Sequence, residues 1–260
     1  MKTAVIVQAR YGSSRLPGKA ILPLGTETVL AQVIARCERI PGVDTVVCAT
    51  PDTAESDPVA EEAERCGALV SRGSETDVLS RYAKAARLAG ADVVMRITSD
   101  CPFIDPFICG KLLALRAGND WPYASLDMPA SWPHGLDCEA FPARLLLEAD
   151  EKATQPYERE HVTPWIRARV APKCTLSGPG APFTAMRWTL DWLEDYEFLI
   201  AAHAALGENA RYASAAELAS LCLRRPDITA INAMRVDSAR LASPLRAEIA
   251  TTPIGFPIAA

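Results

Sequence analysis

Over roughly its first hundred residues the chain alternates short apolar runs with amphipathic ones, a rhythm few folds accommodate. Ala4–Gln8, Thr45–Ala49, Ala68–Ser71 and Val93–Thr98 each read as a strand. Their apolar residues are continuous, as in strands covered on both faces. Between them, 28–40, 57–66 and 76–89 read as helices. In the last, Val78, Leu79, Tyr82, Ala85, Ala86 and Leu88 recur at three-to-four spacing and mark one buried face. This alternation predicts a three-layer α/β/α sandwich around a mostly parallel sheet. Ligands of such sheets bind beyond the carboxyl ends of the strands.

After Pro106 the rhythm breaks. A helix is expected near 107–117, then a Pro- and Trp-rich stretch from Asp120 to Gly135. A strand at Leu136–Phe141, a helix from Pro142 to about Glu151, a strand at Met186–Leu190 and helices near 194–206 and 214–224 follow. Residues 226–260 show no period and read as a surface-wrapping or mobile tail. The division expected is one domain over 1–225, with halves 1–105 and 106–225, and the tail.

The 260 residues suffice for a substantial core, and the net charge of −5 gives no global attraction to nucleic acid or anionic membrane. No apolar run reaches the roughly 18 residues of a membrane span. The N-terminal apolar stretch is too short for a signal peptide and reads as a first strand, so a cytoplasmic location is expected. Eight cysteines have no C-x-x-C spacing or nearby His pair, and read as reduced, buried thiols.

The most chemical segment follows the first strand: Gln8-Ala9-Arg10-Tyr11-Gly12-Ser13-Ser14-Arg15-Leu16-Pro17-Gly18-Lys19. Two glycines allow unusual backbone angles, while hydroxyls and backbone N–H groups can cradle oxyanions. Arg10, Arg15 and Lys19 supply three cations for a triphosphate. It is not a P-loop, because Ala20 follows Lys19. A second segment, Arg96 to Pro106, places Asp100 at the end of a buried strand, where a carboxylate suits a metal that meets phosphates. Asp105 before Pro106 reads as a helix cap. In a third, Gly135 to Phe141, strand alternation puts Asp137, Glu139 and Phe141 on one face. Tyr157 to Pro164, with Arg159 and His161, reads as a solvated helix end, and Met186 to Trp192 ends a strand on Asp191.

In order and spacing these segments, with Arg72-Gly73-Ser74-Glu75-Thr76-Asp77-Val78-Leu79-Ser80-Arg81-Tyr82, resemble the spore-coat polysaccharide cytidylyltransferase family. That family is a branch of the CMP-sugar-acid synthetases (acylneuraminate and 3-deoxy-octulosonate cytidylyltransferases). The resemblance covers about residues 1–205. It implies a nucleotide-diphospho-sugar transferase (GT-A-like) fold, CTP as donor, Mg²⁺ as cofactor and a small sugar-like acceptor. By the same resemblance Ala9, Arg10, Gly12, Ser13, Arg15 and Lys19 grip the triphosphate, and Arg72, Ser74 and Asp77 lie near the nucleoside. Arg15, Lys19 and Asp100 carry the chemistry, Asp100 and Asp191 hold the metal, and Asp137, Glu139, Arg159 and His161 line the acceptor pocket. Arg159 is expected to fork an acceptor carboxylate; Asp137, Glu139 and His161 stand unranked as general bases. Two residues depart from the pattern: Ser99 replaces a common glycine, and Trp192 replaces a small polar residue and is expected to crowd the acceptor side.

Two other functions compete. A glycosyltransferase of the same fold class would hold its metal with Asp-x-Asp, whereas Asp100 stands in Ser-Asp-Cys-Pro. A silent nucleotide binder would not need Lys19, Asp100 and Asp191 together. A homodimer is expected from related enzymes, with Trp121, Trp132 and Trp165 as candidate interface residues if they are not core.

Overall fold

The computed structural model describes residues 1–126, 130–241 and 249–254. Its strands are β1 (Thr3–Gln8), β2 (Pro23–Leu24), β3 (Glu27–Thr28), β4 (Thr45–Pro51), β5 (Leu69–Gly73), β6 (Val93–Thr98), β7 (Ala124–Ser125), β8 (Glu139–Pro142), β9 (Lys173–Ser177) and β10 (Ile249–Pro253). The helices are α1 (Val29–Cys37), α2 (Asp57–Arg65), α3 (Val78–Ala89), α4 (Pro106–Gly118), α5 (Ala143–Lys152), α6 (Pro156–His161), α7 (Pro164–Arg169), α8 (Leu193–Leu206), α9 (Ala215–Arg224), α10 (Pro226–Ala230) and α11 (Ser238–Leu241). The large sheet runs β10-β9-β7-β8-β6-β1-β4-β5, and β2 and β3 form a separate hairpin. Among the described residues of the large sheet only β8 runs antiparallel to its neighbours.

The layers follow from alternation along the strands. In β1, Val5 and Val7 face a core shared with Leu30 and Ile34 of α1, Leu112 of α4 and Phe198 of α8. Ala4 and Ile6 face the opposite core, with Leu79 and Tyr82 of α3 and Leu146 of α5. Each such large aliphatic side chain contributes about 1.5–3 kcal/mol by burial. Helices on both faces confirm the expected sandwich. Asp105 caps α4, accepting from the N–H groups of Phe107 at 2.9 Å and Ile108 at 3.0 Å, with Pro106 in the first turn. The cysteines are all free, and only Cys66 is not buried.

Three expectations need correction. Met186–Leu190 is not a strand; it is tied by a single bridge between Arg187 and His134. Its backbone bonds to loops instead: Trp188 N–H reaches His134 O at 2.7 Å, and Leu190 N–H reaches Asp100 O at 2.8 Å. The strand expected at Leu136–Phe141 starts later, at Glu139, because the Asp137 carboxylate accepts from Gly135 N–H at 2.9 Å and holds a turn there. In the segment expected as a tail, residues 226–241 form short helices with Ile228 and Asn232 buried, and β10 pairs in parallel with β9. Residues 242–248 and 255–260 of that stretch, and 127–129 of the Pro- and Trp-rich stretch, lie outside the described residues. Trp132 and Trp165 are buried within the chain, leaving half-buried Trp121 as the remaining aromatic interface candidate.

Candidate active site

β1 and β6 are parallel neighbours, so the segments following them leave the sheet at the same edge. After β1 the chain winds around the Tyr11 carbonyl, which accepts from Ser13 N–H at 2.8 Å and Gly18 N–H at 2.9 Å. Gly18 adopts φ +69°, and a Cβ there would stand 3.3 Å from the Tyr11 ring, so glycine suits this close turn. Gly12 has no positive φ, so the conformational role expected of both glycines belongs to Gly18 alone.

Lys19 follows directly. Its Nζ donates to Leu190 O at 2.6 Å, Asp191 Oδ1 at 2.8 Å and Asp100 Oδ2 at 3.2 Å. Arg15 Nη2 is 2.9 Å from the same Asp191 oxygen. Thr98 donates its hydroxyl to Asp100 Oδ1. The Asp100 carbonyl accepts from Leu190 N–H and from the Thr189 hydroxyl at 3.1 Å, so Asp100 and Asp191 arrive together from distant parts of the sequence. Burial alone would lower the Lys19 pKa, but attraction to Asp100 and Asp191 outweighs it and holds the ammonium above its usual value. For Asp191, burial raises the pKa, and Lys19, Arg15 and Arg187 together pull it below the usual carboxylate range. Lys19 and Asp191 therefore both stay ionised throughout the neutral range.

A buried network supports Asp191 from behind. Asp195, in the first turn of α8, is fully buried and accepts from Arg187 Nε at 2.7 Å and Nη2 at 2.8 Å. It also accepts from the N–H groups of Asp191 at 2.9 Å and Trp192 at 3.0 Å. Arg187 Nη2 lies 3.4 Å from Asp191 Oδ2.

A cavity of about 660 Å³ opens over the cluster, with Arg10, Ser13, Arg15, Lys19, Asp100 and Asp191 in its wall and Glu75 and Thr76 contributing from the loop before α3. A second cavity of about 240 Å³ shares Arg96 and His161 with it and is also lined by Asp137, Glu139, Thr163 and Arg167. Glu139 accepts from the Tyr123 hydroxyl, from Thr163 Oγ1 at 2.8 Å and from Arg96 Nη1 at 2.8 Å. Burial pushes its pKa up, but Arg96 and Arg167 prevail and hold it below the usual range.

This edge of the sheet, two carboxylates on one lysine beneath an exposed basic loop, is what a nucleotidyltransferase needs. Residues 4–216 match the cytidylyltransferase family. The chain belongs to the cytidylyltransferase family. It is 34% identical to the spore coat polysaccharide biosynthesis protein SpsF of Bacillus subtilis strain 168, over 85% of this chain and 94% of that one. It is 30% identical to the 3-deoxy-manno-octulosonate cytidylyltransferase of Methylococcus capsulatus strain Bath, over 69% of each. A solved cytidylyltransferase from Leptospira borgpetersenii serovar Hardjo-bovis superposes with a TM-score of 0.83 at 30% identity, covering 88% of this chain and 97% of that one. Family membership decides against the glycosyltransferase alternative.

Within this cytidylyltransferase several expected site residues stand elsewhere. Arg159 lines neither cavity; Asp77 at 2.5 Å and Asp150 at 3.0 Å hold its guanidinium. Asp77 also caps α3, accepting from Ser80 N–H at 3.0 Å. Arg72 pairs with Asp57 at 2.6 Å and donates to Thr53 O at 2.8 Å, and Ser74 accepts from Asp77 N–H at 3.0 Å. From that segment the cavity wall takes Glu75 and Thr76 instead. Ala9 is buried, its N–H on Ala49 O at 3.2 Å, and Gly12 faces the Glu55 carboxylate. Trp192 does not line either cavity; its ring stacks with the guanidinium groups of Arg15, at 5.1 Å, and Arg235, at 4.1 Å. Ser99 lies in the larger cavity's wall. Sequence reasoning missed Arg81, whose Nη1 holds the Ser74 and Glu75 carbonyls at 2.7 and 3.1 Å, and also Arg96, Arg167 and Asp195. The first two fall inside the motif segments; Asp195 gave no signal.

Proposed function

We propose that this enzyme transfers CMP from CTP to a sugar-acid acceptor and releases pyrophosphate, supplying an activated sugar for surface-polysaccharide synthesis. The observation that carries this is Lys19 bridging Asp100 and Asp191 in the wall of a basic cavity, which meets a smaller polar one at Arg96 and His161. The names of the B. subtilis and M. capsulatus relatives support the acceptor class and the setting.

The triphosphate lies along Arg10, Ser13, Arg15 and Lys19, with the nucleoside toward Glu75 and Thr76. An acceptor oxygen attacks the α-phosphorus in line; the new O–P bond forms as the bond to the β-phosphate oxygen breaks, and pyrophosphate leaves. Lys19 and Arg15 offset the charge that grows on the leaving group, and positioning supplies most of the remainder. Among the described residues no three His, Cys, Asp or Glu side chains converge. Two carboxylates at the phosphate-facing wall fit Mg²⁺, a hard cation that completes its shell with phosphate oxygens and water. Asp100 and Asp191 would hold that ion, which when bound supplies positive charge to the phosphates. The smaller cavity takes the acceptor. Arg167 replaces Arg159 as the guanidinium for its carboxylate. Glu139 already accepts three donors and is unsuited to be the base; exposed His161, in the wall of both cavities, is assigned that role. Asp137 is engaged with Gly135 N–H and is placed as a hydroxyl acceptor.

The test is pyrophosphate release from CTP, UTP, GTP and ATP with Mg²⁺ and a series of sugar acids and neutral sugars. Release is expected from CTP with a sugar acid and is lost in Asp100→Ala. Equal release from all four triphosphates, or from CTP with neutral sugars alone, would defeat the proposal.

A further inference from the structure

The family match ends at residue 216, yet a later segment reaches the residues that hold the carboxylate assigned to the cation. Asn232 is 2% exposed. Its Nδ2 donates to Arg187 O at 2.9 Å and to Asp195 Oδ1 at 3.0 Å. Asp195 in turn fixes the Asp191 backbone, and Arg187 lies against the Asp191 side chain. Three residues further, Arg235 stacks on Trp192 and donates to Glu194 Oε1 at 2.9 Å, so the segment grips both sides of the turn that follows Asp191.

We propose that residues 232–235 brace the active site, with Asn232 a positioning residue that sets Asp191 for the cation and the triphosphate. This rests on the assignment of Asp191 as a metal ligand made above. The chemistry of the position is restrictive. A buried carboxylate needs its donors. The amide of Asn232 offers N–H groups to two acceptors on different elements. Aspartate there would face Asp195 with an acceptor, and alanine would leave both acceptors one donor short. Groups that orient metal ligands from behind commonly change metal affinity by about 10–100-fold when removed.

The decisive experiment titrates Mn²⁺, as an electron-spin-resonance probe, into the full chain with CTP and no acceptor. Wild type is compared with Asn232→Ala, Asn232→Asp, Arg235→Ala and Ile228→Ala. Ile228 is 4% exposed in α10, before the brace, and offers no donor to Asp195, so its variant controls for lost stability. Asn232→Ala and Asn232→Asp are expected to weaken Mn²⁺ at least about tenfold, with kcat reduced and the acceptor KM unchanged. Arg235→Ala, at a one-third exposed side chain that does not threaten the fold, is expected to weaken it about threefold. Ile228→Ala is expected to lower the melting temperature and keep wild-type Mn²⁺ affinity. If Asn232→Ala does not fold, Arg235→Ala decides. Wild-type Mn²⁺ affinity in the folded Asn232 and Arg235 variants overturns the brace, as does equal weakening in Ile228→Ala. Failure of wild type itself to hold Mn²⁺ with CTP would instead remove Asp191 as a ligand, and the brace with it.

Discussion

The two cavities use charge differently. Around the larger one Arg10, Ser14 and Arg15 stand exposed at the ends of parallel strands. Around the smaller one the carboxylates are already committed: Glu139 to Tyr123, Thr163 and Arg96, and Asp137 to a turn N–H. Arg159, beside that region, is saturated by Asp77 and Asp150. At the larger cavity Arg10 and Arg15 keep access to solvent and Lys19 is held between two carboxylates in the cavity wall, whereas at the smaller one the carboxylates are neutralised by neighbours that shape the wall. Substitutions at the larger cavity should reduce turnover, and at the smaller one stability.

The largest effect falls on Lys19. Lys19→Ala is expected to lower kcat about 10³-fold, equivalent to about 4 kcal/mol, in a steady-state pyrophosphate assay. The fold survives, because both carboxylates keep contact with solvent. A larger loss of stability than of turnover would break the contrast. Glu139→Gln tests the opposite wall: Arg96 loses its charged partner, and urea unfolding is expected to show a loss of about 3 kcal/mol. Its kcat/KM for CTP should fall less than about tenfold. Arg159→Ala comes next, with a loss of about 2 kcal/mol from its charged hydrogen bonds and no change in acceptor KM. A raised acceptor KM at unchanged stability would return Arg159 to the acceptor site.

The smallest effect concerns pH. Burial holds the His134 pKa below its usual value of 6.5, with Asp137 only partly opposing. The unfolded chain therefore takes up that proton first, so the stability is present above pH 6.5 and declines as pH falls below it. His134→Gln is expected to flatten this decline by less than about 1 kcal/mol, read from urea midpoints at about pH 7.5 and pH 5. An unchanged slope would show that other groups carry it.

The first half was legible because continuous apolar strands alternate there with amphipathic helices. β1, β4 and β6 are long and apolar, and the loop after β1 announces its cations. The second half was not. β7 has two residues, and β9 and β10 are short strands near an edge whose pairing depends on distant contacts. Periodicity also misread Met186–Leu190, where buried Trp188 and Leu190 alternate as in a strand but bond to loops. The sequence named Lys19, Arg15, Asp100 and Asp191, which the structure brings together. It could not show that Asp77 faces Arg159, because both have roles as good locally: a helix cap and a solvated cation. Asn232 lay in a stretch with no period at all.

The most direct measurement follows the label from CTP carrying ³²P at the α or the γ position, with a sugar acid and Mg²⁺. The α label is expected to appear on the acceptor and the γ label in pyrophosphate, both requiring Lys19 and Asp100. An α label found only in free CMP or CDP, or a γ label transferred to the acceptor, would contradict nucleotidyl transfer at this site.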